Sequence, residues 1–365
     1  MRRVPPEERG FRVGGLAEAD ALLEAAVRDR AFPGAVVAVG RDDALVHLRA
    51  FGHLTYASGA ERVADDTIYD LASLTKVVAT TTMAMMLVDQ GRVSIDDRVS
   101  QLVPEFSGGA KDGVTLRHLL AHAGGVEAWL PLHRELSGAE AYVREVARLD
   151  LAYDPGTRSL YSDLGFILLG AALERAAGER IDAFAAARIL GPLGMADTRY
   201  LPPADWRPRI APTEEDPWRL RVLRGEVHDE NAHAMGGVAG HAGLFGTAAD
   251  LSRLALMILN QGRGEGGPLV TPETLARFLA PSGFPGSSYA LGWDMPSGES
   301  SSAGRLFSRR SVGHLGYAGT SIWIDLERRL FLILLTNRVH PRRGNDAIKR
   351  VRPALADAVA GAFAG

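Results

Sequence analysis

The chain has 365 residues, of which 46% are hydrophobic and 23% charged, a composition typical of a folded protein with a large core. Its formal net charge of −3 gives no electrostatic reason to expect binding to nucleic acid or to an anionic membrane, and no apolar run is long enough to predict a membrane span. Because the chain has no cysteine, disulfide bonds, thiol catalysis and cysteine–metal sites are excluded.

The N-terminal residues bear on where the protein resides. Two arginines stand there, but no apolar segment of signal-peptide length follows them. We therefore expect a cytoplasmic protein, or a periplasmic or secreted one if an export signal has been removed. The sequence does not choose between a monomer and a small homo-oligomer.

The first quarter of the chain predicts a helix, a β-hairpin and a second, buried helix. Residues 16–30 carry helix formers with a helical period, and the β-rich runs 34–40 and 44–53 are joined by a short polar turn. Residues 70–91 indicate a long, largely buried helix, which Gly91 closes as a C-cap.

The middle of the chain is predominantly helical, whereas the last third returns to strands. Helices are predicted at 115–125, 138–150, 162–179, 181–194, 250–262 and 345–364. Strands are predicted around 289–294, 306–313, 319–325 and 329–337. Strands at both ends around a helical middle predict an α+β fold, with a sheet domain from residues 1–80 and 250–365 and a mostly helical inserted domain at 81–249.

Lys76 is unusual because the chain has 41 lysines and arginines but only three lysines, at positions 76, 111 and 349. It follows Ser73 by three residues in an apolar stretch, so on a helix the two side chains would share one face. Burial and the helix dipole lower the pKa of a lysine, which can then take the proton of a hydroxyl. The N–H of Ser73 could also bind an oxyanion. Alone, a Ser-x-x-Lys pattern is weak, because most matches are accidental.

Two further segments suggest chemistry of the same kind. In the first, a turn leads to Tyr161-Ser-Asp163 and then to a helix, which would place a second proton-transfer group at a helix start. The second is 313–325, whose glycines include Gly316 and Gly319. Glycine in a strand usually marks the close approach of another backbone or of a ligand.

In this order, the three segments resemble the signatures of the serine β-lactamase and penicillin-binding-protein family, in particular its class C-like branch, which includes esterases and D-amino-acid peptidases. The resemblance extends from about residue 15 to the C-terminus. It implies a β-lactamase/transpeptidase-like fold, with an antiparallel sheet flanked by helices and the active site in the cleft beside the inserted domain. It also implies catalysis without a cofactor or a metal.

The resemblance assigns a role to individual residues. It implies that Ser73 is the acylated nucleophile and that Lys76 and Tyr161 share the base and acid work. The backbone N–H groups of Ser73 and Tyr317 would form the oxyanion hole. His314 and the neighbouring Gly316 would bind substrate.

Two departures from the family pattern point away from a dedicated antibiotic-resistance enzyme. Asp163 stands where the branch usually has asparagine, so an amide donor is replaced by an acceptor that would hold Lys76 or select an amine-bearing substrate. His314 stands where many members have lysine, and histidine is a weaker and pH-dependent anchor for a substrate carboxylate.

The segment 226–247 is rich in histidine, with carboxylates and glycines beside it. A metal site is one interpretation, although the spacing matches no zinc signature. The favoured interpretation is a glycine-rich loop packed beside the active site, in which polar side chains hold turns. An intermediate interpretation is that Asp229 or His241 lines the substrate pocket.

We therefore expect a serine hydrolase that forms an acyl-enzyme with a small ester, amide or peptide. Carboxylesterase or D-amino-acid peptidase activity is favoured over strong β-lactamase activity. Two alternatives are a non-catalytic penicillin-recognising protein and a metal-assisted hydrolase that uses the loop from His228 to His241.

Overall fold

The computed structural model describes residues 1–363, except for the side chain of Glu299, and contains a five-stranded antiparallel sheet. The strands are β1 (Gly34–Arg41), β2 (Ala44–Gly52), β3 (Tyr69–Asp70), β4 (Arg199–Tyr200), β5 (Glu215–Asp216), β6 (Arg221–Val222), β7 (Leu244–Gly246), β8 (Arg263–Gly264), β9 (Gly267–Pro268), β10 (Ser311–Leu315), β11 (Ser321–Asp325) and β12 (Leu330–Thr336). The large sheet has the order β10-β11-β12-β1-β2, and β3-β7-β4 form a small sheet. Each neighbouring pair in the large sheet is antiparallel.

Helices cover both faces of the large sheet. The α-helices are α1 (Ala17–Arg28), α2 (Thr82–Asp89), α3 (Val99–Leu102), α4 (Leu116–Leu120), α5 (Ala139–Arg148), α6 (Asp163–Ala177), α7 (Ile181–Phe184), α8 (Gly191–Leu193), α9 (Glu230–Ala234), α10 (Ala248–Leu259), α11 (Pro272–Leu279) and α12 (Ile348–Gly361). Two π-helical segments precede α2 and α8, at Lys76–Thr81 and Ala185–Leu190. Short 3₁₀ turns lie at Pro6–Arg9, Gly109–Gly113, Leu132–Arg134, Ala204–Arg209 and Gly298–Ser300.

Alternation along the strands explains why the sheet has a helical layer on each side. Val37 and Leu332 point to the face covered by α1 and α12. Val36 and Ile333 point to the opposite face, where α10 packs on β1 and β12. Successive side chains of a strand point to opposite faces, so these apolar strands are buried on both sides.

The helix that follows Ser73 is the most deeply buried helix near the candidate site. Every side chain from Lys76 to Leu87 is buried, and the helix packs against α6 and α11. Gly91 follows its end with a φ of +65°, which confirms the predicted glycine stop.

Most predicted elements are confirmed, including the N-terminal hairpin, but two strand predictions were wrong. The strand predicted at 306–313 begins only at Ser311, because the Asp325 carboxylate accepts hydrogen bonds from the N–H and hydroxyl of Ser308 and holds a turn there. The segment 289–294 forms two isolated bridges, Tyr289 with Asp294 and Asp294 with Gly313, instead of a strand.

The proposed division of the chain into a sheet domain (1–80 and 250–365) and an inserted helical domain (81–249) stays a prediction. Within the part of the chain that the structure describes, no helix is both long and apolar enough to cross a bilayer.

Candidate active site

Ser73 lies at a tight turn between β3 and the buried helix. Ala72 has a φ of +47°, a left-handed conformation that a non-glycine residue rarely adopts. The Asp70 carboxylate fixes this turn, because it accepts the Ala72 N–H at 2.8 Å and the His228 N–H at 2.7 Å. Backbone strain of this kind is common at functional sites, where the surrounding structure holds it in place.

Lys76 is fully buried and makes three contacts. Its Nζ lies 3.1 Å from Ser73 Oγ, 2.6 Å from Asp163 Oδ1 and 3.2 Å from the carbonyl oxygen of His241. An ammonium has three N–H donors, whereas a neutral amine has two donors and a lone pair. An ionised carboxylate and a carbonyl can only accept, so a neutral Lys76 would donate to these two groups and direct its lone pair toward the Ser73 hydroxyl.

The pKa values of Lys76 and Tyr161 are shifted in opposite directions. Burial lowers the pKa of Lys76, although the negative charges of Asp163 and Asp229 act in the opposite direction. Burial, assisted by the charge of Asp163, raises the pKa of Tyr161 well above its usual range. Burial thus disfavours both the ammonium form of Lys76 and the phenolate form of Tyr161.

The Tyr161 ring packs against Lys76, and the His122 ring packs against Tyr161. Lys76 Nζ lies 4.8 Å from the centre of the Tyr161 ring. The His122 ring lies 4.6 Å from the Tyr161 ring, and its Nδ1 accepts the N–H of Ser162 at 3.1 Å. Nothing in the sequence distinguished His122 from a structural histidine at a helix end.

His314 faces the same cluster from the end of β10. It is buried, and its Nδ1–H donates to the carbonyl of Leu315 at 2.9 Å. Burial, together with the nearby charge of Lys76, lowers the pKa of His314 to about 3. The imidazole is therefore neutral near pH 7, which differs from the expected pH-dependent anchor because burial removes the cationic form.

Gly316 lets the loop after β10 approach the serine turn. A Cβ at this position would lie 2.0 Å from Thr320 Oγ1 and 2.7 Å from the carbonyl oxygen of Leu71. The Thr320 hydroxyl also donates to the Leu71 carbonyl at 3.0 Å. The expected close approach at this glycine is present, and it draws the neighbouring Tyr317 toward the serine turn.

The backbone N–H groups of Ser73 and Tyr317 are the two predicted donors of the oxyanion hole. Across residues 1–363, neither the N–H of Ser73 nor that of Tyr317 has a protein acceptor. Both residues border one cavity of about 770 Å³. Two N–H groups without a protein acceptor beside one cavity are what the predicted oxyanion hole requires, and the oxyanion hole itself stays a prediction.

Charged side chains of both signs border the cavity. They include the carboxylates of Asp163 and Asp229 and the guanidinium groups of Arg338 and Arg352. Both arginines are buried, and among the described residues they donate only to backbone carbonyl groups. Burial, with the charge of Arg338, lowers the pKa of Arg352 to about 9. No motif in the sequence indicated these two arginines.

The histidine-rich segment packs beside the cavity as paired side chains. His228 contacts Glu214 at 2.9 Å, and His241 Nε2 contacts Asp229 Oδ1 at 2.9 Å. Of the two residues expected at the pocket, Asp229 borders the cavity, whereas the His241 side chain is buried and is not among the residues that border it. In the described part of the chain, no group of three or more histidine or acidic side chains is placed to hold a metal ion.

Comparisons with known proteins agree with this geometry. The family model described as Beta-lactamase matches residues 19–356. The chain is 31% identical to the N-acetylmuramyl-L-alanine amidase of Bacillus subtilis (strain 168), over 92% of this chain and 84% of that protein. It is 30% identical to the putative D-alanyl-D-alanine carboxypeptidase of Escherichia coli (strain K12), over 92% of this chain and 85% of the relative.

Among solved structures, the fold is similar to a penicillin-binding protein homologue from Caulobacter crescentus. The TM-score is 0.79 at 21% identity, over 96% of this chain and 98% of the other. The expected fold is thereby confirmed. The chain belongs to the β-lactamase family and is a serine hydrolase of that type.

Proposed function

We propose that this protein hydrolyses an amide bond in a peptidoglycan-type peptide, with Ser73 as the acylated nucleophile. The observation that carries the proposal is the buried lysine amine, 3.1 Å from Ser73 Oγ, whose other two contacts are pure acceptors. This arrangement supplies a base for the hydroxyl at neutral pH.

The reaction proceeds through two acyl transfers. The substrate carbonyl oxygen binds the N–H groups of Ser73 and Tyr317, and Lys76 takes the hydroxyl proton as Ser73 Oγ bonds to the carbonyl carbon. The tetrahedral intermediate then collapses as Tyr161 donates its proton to the departing amine nitrogen, and Lys76 returns a proton to the phenolate. Water attacks the acyl-enzyme in the same manner, so that a carboxylic acid leaves and Ser73 is restored.

Two observations support an anionic peptide as the substrate. The amidase and carboxypeptidase relatives are named for amide bonds next to muramyl or D-alanyl groups. The buried guanidinium groups of Arg338 and Arg352 border the cavity without a carboxylate partner among the described residues. A carboxylate of such a peptide would complete a charge-assisted contact with them.

Ester hydrolysis should accompany the amidase activity, because an ester has a better leaving group and uses the same acyl-enzyme. We propose that β-lactam turnover is weak. Asp163 is engaged with Lys76 at 2.6 Å and offers no N–H to a substrate amide, as the usual asparagine would.

The test is a parallel assay of an N-acetylmuramyl-L-alanyl peptide, a D-alanyl-D-alanine peptide, p-nitrophenyl acetate and nitrocefin, with wild type and Ser73→Ala. The expected result is the highest kcat/KM on one of the two peptides and complete loss of activity in the variant. Activity on the ester alone would favour a carboxylesterase. Activity that survives in Ser73→Ala but is lost with a chelator would favour the metal-assisted alternative. Absence of any turnover would favour a non-catalytic penicillin-recognising protein.

A further inference from the structure

The segment 240–244 lies along the buried helix that carries Lys76. It is attached there by three hydrogen bonds, which involve Thr75, Lys76 and Thr80. The Leu244 N–H donates to Thr75 Oγ1 at 3.1 Å, Lys76 Nζ donates to the His241 carbonyl at 3.2 Å, and Thr80 Oγ1 donates to the Gly240 carbonyl at 2.5 Å. The middle bond is the one that involves the proposed base.

Segment 240–244 is also held by contacts with α6 and with Asp229. A Cβ on Gly240 would lie 2.3 Å from the Phe166 carbonyl oxygen and 3.1 Å from Gly170 Cα, so the segment is wedged against α6. The buried His241 ring reaches to Asp229, and Asp229 Oδ1 also accepts the Ala232 N–H at 2.7 Å, as the N-cap of α9.

We propose that Asp229 and His241 form a positioning pair for Lys76. The Nε2–H of His241 donates to the ionised Asp229, and this bond fixes the orientation of the residue whose carbonyl accepts from Lys76. With that carbonyl and Asp163 both in place, the lone pair of the neutral amine has only one direction left, toward Ser73. The inference rests on the proposed function in taking Lys76 as the base.

The pair also contributes a charge to the electrostatics of the base. The titratable groups that face Lys76 from the surrounding elements are Asp163, Asp229, His241, Tyr161, His122 and His314. Of these, the carboxylate of Asp229 favours the ammonium form of Lys76. Removal of this charge should therefore lower the pKa of Lys76, and removal of the His241 ring should loosen the carbonyl.

Two variants separate charge from position. Asp229→Asn keeps an oxygen acceptor for the His241 N–H and a good helix N-cap, but it removes the negative charge. His241→Ala keeps the charge and removes the hydrogen bond that holds the carbonyl. His233→Ala is the matched control, because this side chain lies in the same histidine-rich segment without contacting Lys76.

The measurement is an NMR titration of lysine side chains labelled with ¹⁵N at Nζ, which is tractable because the chain has only three lysines. Lys111→Arg and Lys349→Arg serve to assign the other two signals. We expect the Lys76 midpoint to move to lower pH by about one pH unit in Asp229→Asn. The acylation of Ser73 by an aryl ester should slow about tenfold to a hundredfold in His241→Ala, with KM unchanged. His233→Ala should match the wild type in both readouts.

Two outcomes would overturn the positioning role. The first is an unchanged Lys76 midpoint together with an unchanged acylation rate in both variants. The second is a KM that rises only for ammonium-bearing substrates, which would make Asp229 a substrate-binding residue as first expected. A wild-type protein that is never acylated at Ser73 would refute the proposed function instead, while the titration would still report whether the pair acts on Lys76.

Discussion

Two groups of buried basic side chains lie at the cavity, and their charges are compensated differently. Lys76 contacts Ser73 and Asp163, which border the cavity, and is called the lysine side here; Arg338 and Arg352, which border the cavity themselves, are called the arginine side. Lys76 has the carboxylate of Asp163 at 2.6 Å and the charge of Asp229 nearby. Arg338 and Arg352 donate to backbone carbonyl oxygens, and within residues 1–363 neither has a carboxylate partner. A carboxylate thus contacts Lys76 directly, whereas none of the described carboxylates contacts the two arginines directly.

This difference indicates that the lysine side takes part in the chemical step and that the arginine side selects the substrate. A buried charge without a partner is costly, so a ligand that brings an anion gains more there than at an already neutralised site. The lysine side needs no anion from the substrate and is free to exchange protons. The arginine side cannot exchange protons near neutral pH, and it is suited to recognise a carboxylate.

The largest loss of activity should come from Lys76→Arg, which keeps a positive charge at this position but removes the amine that can lose its proton. An arginine cannot lose its proton near neutral pH, so Ser73 would have no base. We expect kcat/KM to fall by at least about a thousandfold on every substrate. Lys111→Arg is the matched control and should retain wild-type kinetics. Substantial activity in Lys76→Arg would show that another group activates the serine.

Gly316→Ala should disturb both sides at once, because the Gly316 carbonyl accepts from Arg352 and its Cα faces Leu71 in the serine turn. The added Cβ would lie 2.7 Å from the Leu71 carbonyl oxygen. We expect the free energy of unfolding to fall by about 1–3 kcal/mol and acylation to slow about tenfold to a hundredfold. Thermal melts and aryl-ester kinetics measure these effects, and Gly113→Ala, at an open position, is the control.

Arg352→Gln should weaken only the recognition of anionic substrates by the arginine side. KM for an anionic peptide should rise about tenfold, whereas KM for the neutral p-nitrophenyl acetate should stay near the wild-type value. Arg352→Lys, which keeps a positive charge, should lose less. Because Arg352 also donates to the Gly316 and Thr320 carbonyls, the ratio between the two substrates is the informative quantity. An equal loss on both substrates would mean that this arginine only supports the loop.

Asp163→Asn should change activity least among these variants. Its kcat/KM should stay close to that of the wild type at high pH and differ clearly at low pH. The Asp163 charge favours the ammonium form of Lys76, so its removal lowers the pKa of that lysine. Activity requires the neutral amine and is lost as the pH falls through this pKa. The acid limb of the kcat/KM profile should therefore move to lower pH by about one pH unit. A shift to higher pH would contradict the assigned roles.

The sequence predicted the parts of the site that depend on local spacing. Ser73 and Lys76 are three residues apart at a helix start, so their contact follows from helical geometry. The glycine at position 316 correctly indicated a close backbone approach. The aspartate at position 163 was expected either to hold Lys76 or to select an amine, and the structure shows the first contact.

Features that depend on distant packing escaped sequence reasoning. The neutrality of His314 results from complete burial, and the third contact of Lys76 is a backbone carbonyl, which carries no side-chain signal. The arginine side depends on the packing of Arg352, from the C-terminal helix α12, against the loop after β10. Helix α11 was not predicted, although Thr271 caps it and a proline follows, which together are a recognisable start signal.

The most direct test of the central claim is covalent labelling with a fluorophosphonate, followed by mass spectrometry of the digested protein. If Ser73 is the hydroxyl that the neutral amine activates, the added mass will lie on the peptide that contains it. Labelling will then rise with pH as Lys76 loses its proton, and it will be absent from Lys76→Arg. Labelling on another residue, or at an equal rate in Lys76→Arg, would contradict the account.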